Sequence, residues 1–215
     1  MPSSSSSPLP LRRGRGRPRK TPAELDDGNR RRQIIDGAAR LFRSKGFAAA
    51  STRDIAAAAG MRSGSPFYHF ESKSALLYVV MEEGMAHAAK SQQAALGRLP
   101  DHASPREQLR ALVRSHFDTL LGPQSDFIPV MLYEWRSLTA GQRQGIASMK
   151  DGYEARWMPV LQALHDSGAL RAEPAVARLF IFGALNWAVQ WFSPQGDKSI
   201  DELAAQALLL FIGEA

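Results

Sequence analysis

The chain has 215 residues, 44% of them apolar, and a net charge of +6, which suits one or two small helical or mixed domains with a real core. It contains no cysteine, which excludes a disulfide framework and any thiolate metal site and fits a reducing, cytoplasmic setting. No apolar run approaches the roughly 20 residues needed to span a bilayer, and the Ser- and Pro-rich N-terminus lacks the apolar core of a secretory signal.

Residues 1–27 are expected to form a disordered arm, because they mix a serine run, proline, glycine and dense like charge with almost nothing to bury. Arg12, Arg13, Arg15, Arg17, Arg19 and Lys20 give the first twenty residues six positive charges and no acid. Residues 28–75 add nine Lys or Arg against three acids, whereas 76–215 carry twelve against fifteen. All the excess positive charge therefore lies in the first third, as expected of a chain with one end on a polyanion.

Helical periodicity then persists to the end, and no stretch alternates as a strand does, so an all-α fold is predicted. The first helix runs from about Arg30 to Lys45, with Ile34, Ala38, Leu41 and Phe42 on one face and Gly46 as a left-handed cap. The second opens at Ser51 or Thr52 and ends at Gly60, and a third covers about Ser63–Phe70. Three short helices over residues 28–75 make a helix-turn-helix head. Over 76–215 six further helices are expected: Lys73–Leu96, Pro105–Leu121, Phe127–Leu138, Gln142–Ser167, Pro174–Phe192 and Ile200–Ile212. Pro159 should kink the fourth of these, because it removes a backbone donor.

The run Thr52-Arg53-Asp54-Ile55-Ala56, then Ala59-Gly60-Met61-Arg62-Ser63-Gly64-Ser65-Pro66-Phe67-Tyr68-His69-Phe70 and Ser72-Lys73, resembles the DNA-binding head of the TetR family of bacterial regulators. The resemblance covers about residues 30–80. It implies base contacts from Arg62, Ser63, Ser65 and Tyr68, whose short polar, basic or phenolic side chains suit base edges in the major groove. It implies phosphate contacts from Thr52, Arg53, His69 and Lys73, which set register but carry no sequence information. Phe67, where the family often has tyrosine, is read as packing. Pro66 removes one donor from a very short helix.

Arg15-Gly16-Arg17-Pro18-Arg19 looks like an AT-hook, a motif whose arginines enter the narrow minor groove of A·T-rich DNA. A nonspecific basic arm that gains affinity by counterion release is the other reading.

The stretches Leu185–Gly196, Glu134–Leu138 and Gly168–Arg171 resemble the C-terminal half of TetR-type regulators that respond to acyl-CoA thioesters or to fatty-acid and steroid catabolites. That resemblance implies a small hydrophobic effector in an aromatic pocket between the helices. Phe117, Met131, Trp135, Tyr153, Trp157, Leu161, Asn186 and Trp187 are the candidate lining. Arg136, Arg143 and Arg156 are candidates for a thioester's phosphates or for plain surface pairing. The last two helices are apolar over wide arcs, so Leu179, Phe182, Leu185, Leu203, Ala207 and Leu210 are expected at a homodimer interface. A ligand-responsive repressor on a palindromic operator is the leading reading, and an architectural DNA-binding protein led by the hook is the alternative. An enzyme is not expected. The chain has no HExxH, G-x-S-x-G or P-loop, its five histidines are scattered, and neither cofactor nor metal is implied.

Overall fold

A computed structural model describes residues 22–61, 66–122 and 125–213. Nine α-helices form among them: α1 Pro22–Lys45, α2 Thr52–Ala58, α3 Lys73–Gly97, α4 Pro105–Leu121, α5 Phe127–Glu134, α6 Ala140–Ala155, α7 Met158–Asp166, α8 Pro174–Trp187 and α9 Ile200–Ile212. Three 3-10 turns, Pro66–Tyr68, Trp135–Ser137 and Ala188–Gln190, complete the regular structure, and the described residues contain no strand. None of these helices is long and apolar enough to cross a membrane.

The helix starts follow from capping chemistry. Ser51, Ser104, Thr139 and Ser199 each accept the amide three residues on, and Asp54, Glu107, Gln142 and Glu202 return a bond to the cap's own amide. Ser72 caps α3 by accepting the amide of Ala75. Gly46, with φ +80°, lets the chain leave α1 in a left-handed turn.

Several boundaries depart from the sequence reading, and the helices expected to reach Leu138 and Phe192 end at Glu134 and Trp187, each passing into a 3-10 turn. Residues 22–27, expected in the disordered arm, belong to α1, which starts at Pro22. Proline fits a first helical turn. Of the expected third helix, residues 66–70 lie within the described residues, and there only Pro66–Tyr68 is regular, as a 3-10 turn. The expected kinked helix Gln142–Ser167 is broken into α6 and α7. Pro159, second in α7, has no N–H to give to the carbonyl of Ala155. Trp157 N–H bonds Glu154 O at 3.0 Å, and the Tyr153 carbonyl takes Gln92 Nε2 at 3.3 Å.

The head is α1, α2, the 3-10 turn and the start of α3, closed around buried Ile34, Ala38, Phe42, Ile55, Phe70 and Leu76. A Cβ on Gly37 would stand 2.8 Å from the Ala58 carbonyl carbon, so α1 and α2 meet backbone to backbone. In the body α4 is central and packs on α3, α7, α8 and α9. Its Leu109, Leu112, Val113, Phe117 and Leu120 are buried. Each such side chain contributes about 1.5–3 kcal/mol on burial. Helix α3 runs unbroken from head into body.

Candidate DNA-binding head and effector cavity

Arg62, Ser63 and Ser65, and the arm with Arg15, Gly16, Arg17, Pro18 and Arg19, lie outside the described residues. Tyr68 ends the 3-10 turn with its side chain 87% exposed, edge-on to the His69 ring at 5.5 Å. Thr52 and Arg53 stand exposed on the first turn of α2. Lys73, expected on phosphate, is turned inward. Its Nζ donates to Phe47 O at 2.8 Å and Ala50 O at 2.9 Å, and it lies 4.5 Å from the Phe47 ring centroid. The α1–α2 loop leaves carbonyls within its reach, so the ammonium orders that loop.

Helix α5 fastens the head at both of its ends. Arg43 of α1 donates to Ser125 Oγ at 3.1 Å and pairs with Asp126 at 3.0 Å, just before α5 begins. At the other end Glu134 Oε1 accepts the Phe47 amide at 2.8 Å, while Ser137 Oγ holds Oε2 at 2.9 Å. Arg32 of α1 pairs with Glu83 of α3 at 2.6 Å. Sequence reading gave none of these residues a partner, because a lone Arg or Glu on a helix carries no sign of one roughly fifty to ninety residues away.

Between these two ties, Ile128, Met131 and Leu132 of α5 form one wall of a small cavity of about 50 Å³. The remaining apolar lining is Met85, Ala88 and Phe182, and the polar lining is His116, Thr119, Lys150, Tyr153, Glu154 and Asn186. That volume is well below the roughly 300–1,000 Å³ of small-molecule sites, so its walls must part to seat a ligand. His116 Nδ1 lies 3.0 Å from Tyr153 Oη and Nε2 lies 3.1 Å from Asn186 Oδ1. Desolvation holds the His116 imidazole down to about 4, against a weaker upward pull from Asn186, so it is neutral at pH 7. The same desolvation raises the Tyr153 phenol. Glu154, almost wholly buried, is paired with Lys150 at 3.0 Å and with Arg178 of α8.

Of the expected ligand residues, Met131, Tyr153 and Asn186 line this cavity. Trp157 is fully buried behind it, its ring 4.7 Å from Phe182 and edge-on to His116 at 6.1 Å. Phe117 and Leu161 are core, and Trp135 is half-buried against it. Trp187 is 64% exposed and faces away. The aromatic tally in the sequence could not tell a wall from the packing behind it. Neither could it single out His116, one of five scattered histidines.

The outer faces of α8 and α9 are apolar and bare. Leu179, Phe180, Trp187 and Leu210 are exposed, Phe180 by 74%, and Leu203 and Ala207 are half-buried. Phe182 and Leu185, expected at the interface, are instead buried within the protomer. Helical phase decides this: Leu179, Phe180 and Gly183 point outward, and Ile181, Phe182 and Leu185 point at α4 and the cavity. Among the described residues no three His, Asp or Glu side chains converge as a metal site.

A three-element basic head, carried on a helical body with a small cavity lined by polar and apolar side chains, defines a DNA-binding transcriptional regulator. Residues 34–79 match the bacterial regulatory proteins of the tetR family, and residues 102–213 match the tetracyclin repressor-like C-terminal domain. The chain belongs to the TetR family. It is similar to the HTH-type transcriptional repressor KstR2 of Rhodococcus jostii, at 30% identity over 200 residues, 89% of this chain and 96% of that protein. Among solved structures, AibR in complex with isovaleryl coenzyme A and operator DNA has a TM-score of 0.77 and 26% identity, covering 86% of this chain and 98% of AibR. The superantigen PfiT has a TM-score of 0.71 and 36% identity, with 86% and 97% covered.

Proposed function

We propose that the protein is a ligand-released repressor. A homodimer holds a palindromic operator and lets go when a small hydrophobic effector, an acyl-CoA or a fatty-acid or steroid catabolite, occupies the cavity. One observation carries this reading: α5 forms a wall of the cavity and is tied to the head at both ends, through Arg43 and through the Phe47 amide. A ligand that shifts Met131 or Leu132 cannot leave those ties unchanged. The effector must bind the released form more tightly, by about 1–3 kcal/mol for a useful response. The complex of AibR with isovaleryl coenzyme A and operator DNA supports the thioester class.

Exposed Tyr68, Thr52 and Arg53 and half-buried His69 are the head residues that a groove and its phosphates would meet, and Arg62, Ser63 and Ser65, outside the described residues, are assigned to base contact with them. The Arg15–Arg19 arm adds a contact in an adjacent minor groove. Bare Leu179, Phe180, Trp187 and Leu210 support pairing through α8 and α9, since apolar patches of this kind seldom stay in water. The test is an operator selected by the purified protein from random DNA, followed by gel-shift titration with acyl-CoA esters. A single palindrome released by a subset of esters is expected. Broad A·T-rich coverage without release would favour an architectural binder instead.

A further inference from the structure

We propose that Asn186 reads a neutral carbonyl of the effector, while the effector's anionic end stays outside at Lys150. This rests on the cavity being the effector site, and adds which atom of the ligand is recognised and by which side chain.

The assignment follows from counting donors. His116 is fully buried and neutral, so its ring has one N–H and one lone pair. Asn186 Oδ1 can only accept, so the proton sits on Nε2, and Nδ1 accepts the Tyr153 hydroxyl. The chain Tyr153→His116→Asn186 then leaves different functions for the cavity. Tyr153 keeps lone pairs. Thr119, whose hydroxyl donates to Ser115 O at 2.8 Å, also keeps only lone pairs. Asn186 keeps both amide N–H groups. This part of the lining therefore offers a neutral donor beside acceptor oxygens. A ketone or thioester carbonyl fits it. A carboxylate does not, because it would trade its hydration for one neutral amide beside two oxygens.

Charge lies with Glu154 and its partners. Glu154 is nearly buried and meets two cations, Lys150 and Arg178, which leaves that edge one positive charge in excess. The Lys150 side chain is about half exposed, so it stands between cavity and solvent. An anionic tail can reach it without being buried. The lining thus sorts the ligand: charge at exposed Lys150, carbonyl at half-buried Asn186, and the apolar body against Met85, Ile128 and Met131.

The experiment is calorimetric titration of the full-length dimer with three matched coenzyme A series of increasing chain length. Acyl-CoA carries the thioester carbonyl, S-(2-oxoalkyl)-CoA carries a ketone one bond further on, and S-alkyl-CoA has no carbonyl. The wild type is expected to prefer a carbonyl-bearing series over S-alkyl-CoA by about tenfold, one neutral buried hydrogen bond. Which of the two it prefers identifies the carbonyl source. Asn186→Asp keeps the acceptor that His116 uses and removes the donor, so the preference should vanish while the melting temperature shows a folded protein. Lys150→Ala should weaken all three series alike. Equal binding of carbonyl and S-alkyl series by the wild type, or a preference that survives Asn186→Asp, overturns this inference alone. Absence of binding by every series overturns the thioester class proposed above together with it.

Discussion

The carboxylate of Glu134 accepts the backbone amide of Phe47 at 2.8 Å, and the carbonyl of the same Phe47 accepts Lys73 Nζ at 2.8 Å. One peptide segment of the head is thus held from the body on one side and from α3 on the other. A charged acceptor on a half-buried N–H contributes about 1.5–3 kcal/mol. Glu134→Ala should destabilise the protein by about 1–2 kcal/mol in urea unfolding and speed hydrogen exchange at the Phe47 amide. The substitution should also blunt release of the operator by effector. Full release with unchanged exchange would show that α5 does not transmit the signal.

His116 makes stability fall in mild acid. Its folded pKa is near 4 against an ordinary 6.5, so between those values the unfolded chain binds a proton that the folded chain refuses. Stability should be unaffected by this group above about pH 6.5 and decline below it, by about 1.4 kcal/mol per pH unit until pH 4. The difference between wild type and His116→Gln in urea melts from pH 4.5 to 7.5 isolates the effect. A pH-independent difference would mean the imidazole is already protonated or solvated.

Gly37→Ala tests the contact between α1 and α2. The added methyl would meet backbone atoms of Ala58 at 2.8 Å, and neither helix can yield without moving the other. A loss of about 1–3 kcal/mol is expected, together with weaker operator binding, read by thermal melting and by gel shift. A neutral substitution would place the two helices further apart.

The all-α class, the cap at Ser72 and the bounds of α4 and α9 were legible in the sequence, because local chemistry sets them: N-cap serines, an N1 proline at Pro105, and glycine or proline at the breaks. What stayed hidden depends on three-dimensional neighbours. Phe182 and Leu185 sit on an apolar arc broad enough to face either way, and packing on α4 pulls them inward. Lys73 reads as a free cation until the carbonyls of the α1–α2 loop are seen beside it. The cavity's polar triad comes from three helices, α4, α6 and α8, and no spacing along the chain announces it.

On the head, Arg53→Ala and Tyr68→Ala should separate. The first removes a cation and should lower the slope of log K against log salt by about one, with sequence preference kept. The second should leave the slope alone and relax preference within the half-site. If both variants behaved alike in salt titrations on matched and mismatched operators, the division of labour between them would be wrong.

At the far end, Leu179→Asp with Phe180→Asp should yield a folded monomer in analytical ultracentrifugation, since both side chains are exposed in the protomer and cost it no core. The monomer's operator affinity should collapse while its ligand binding persists. A dimer that survived the double change would assign the interface to another face.

Helix α3 is a single rod of 25 residues that begins just after the 3-10 turn of the head and runs the length of the body's contact with α4. At 1.5 Å per residue it measures about 37 Å, so a pivot of only about 5° at its inner end sweeps the outer end through about 3 Å. Two such arms splaying in opposite senses double the error against a fixed helical repeat. A sub-ångström adjustment around a bound molecule is therefore enough leverage to spoil the fit of both tips at once.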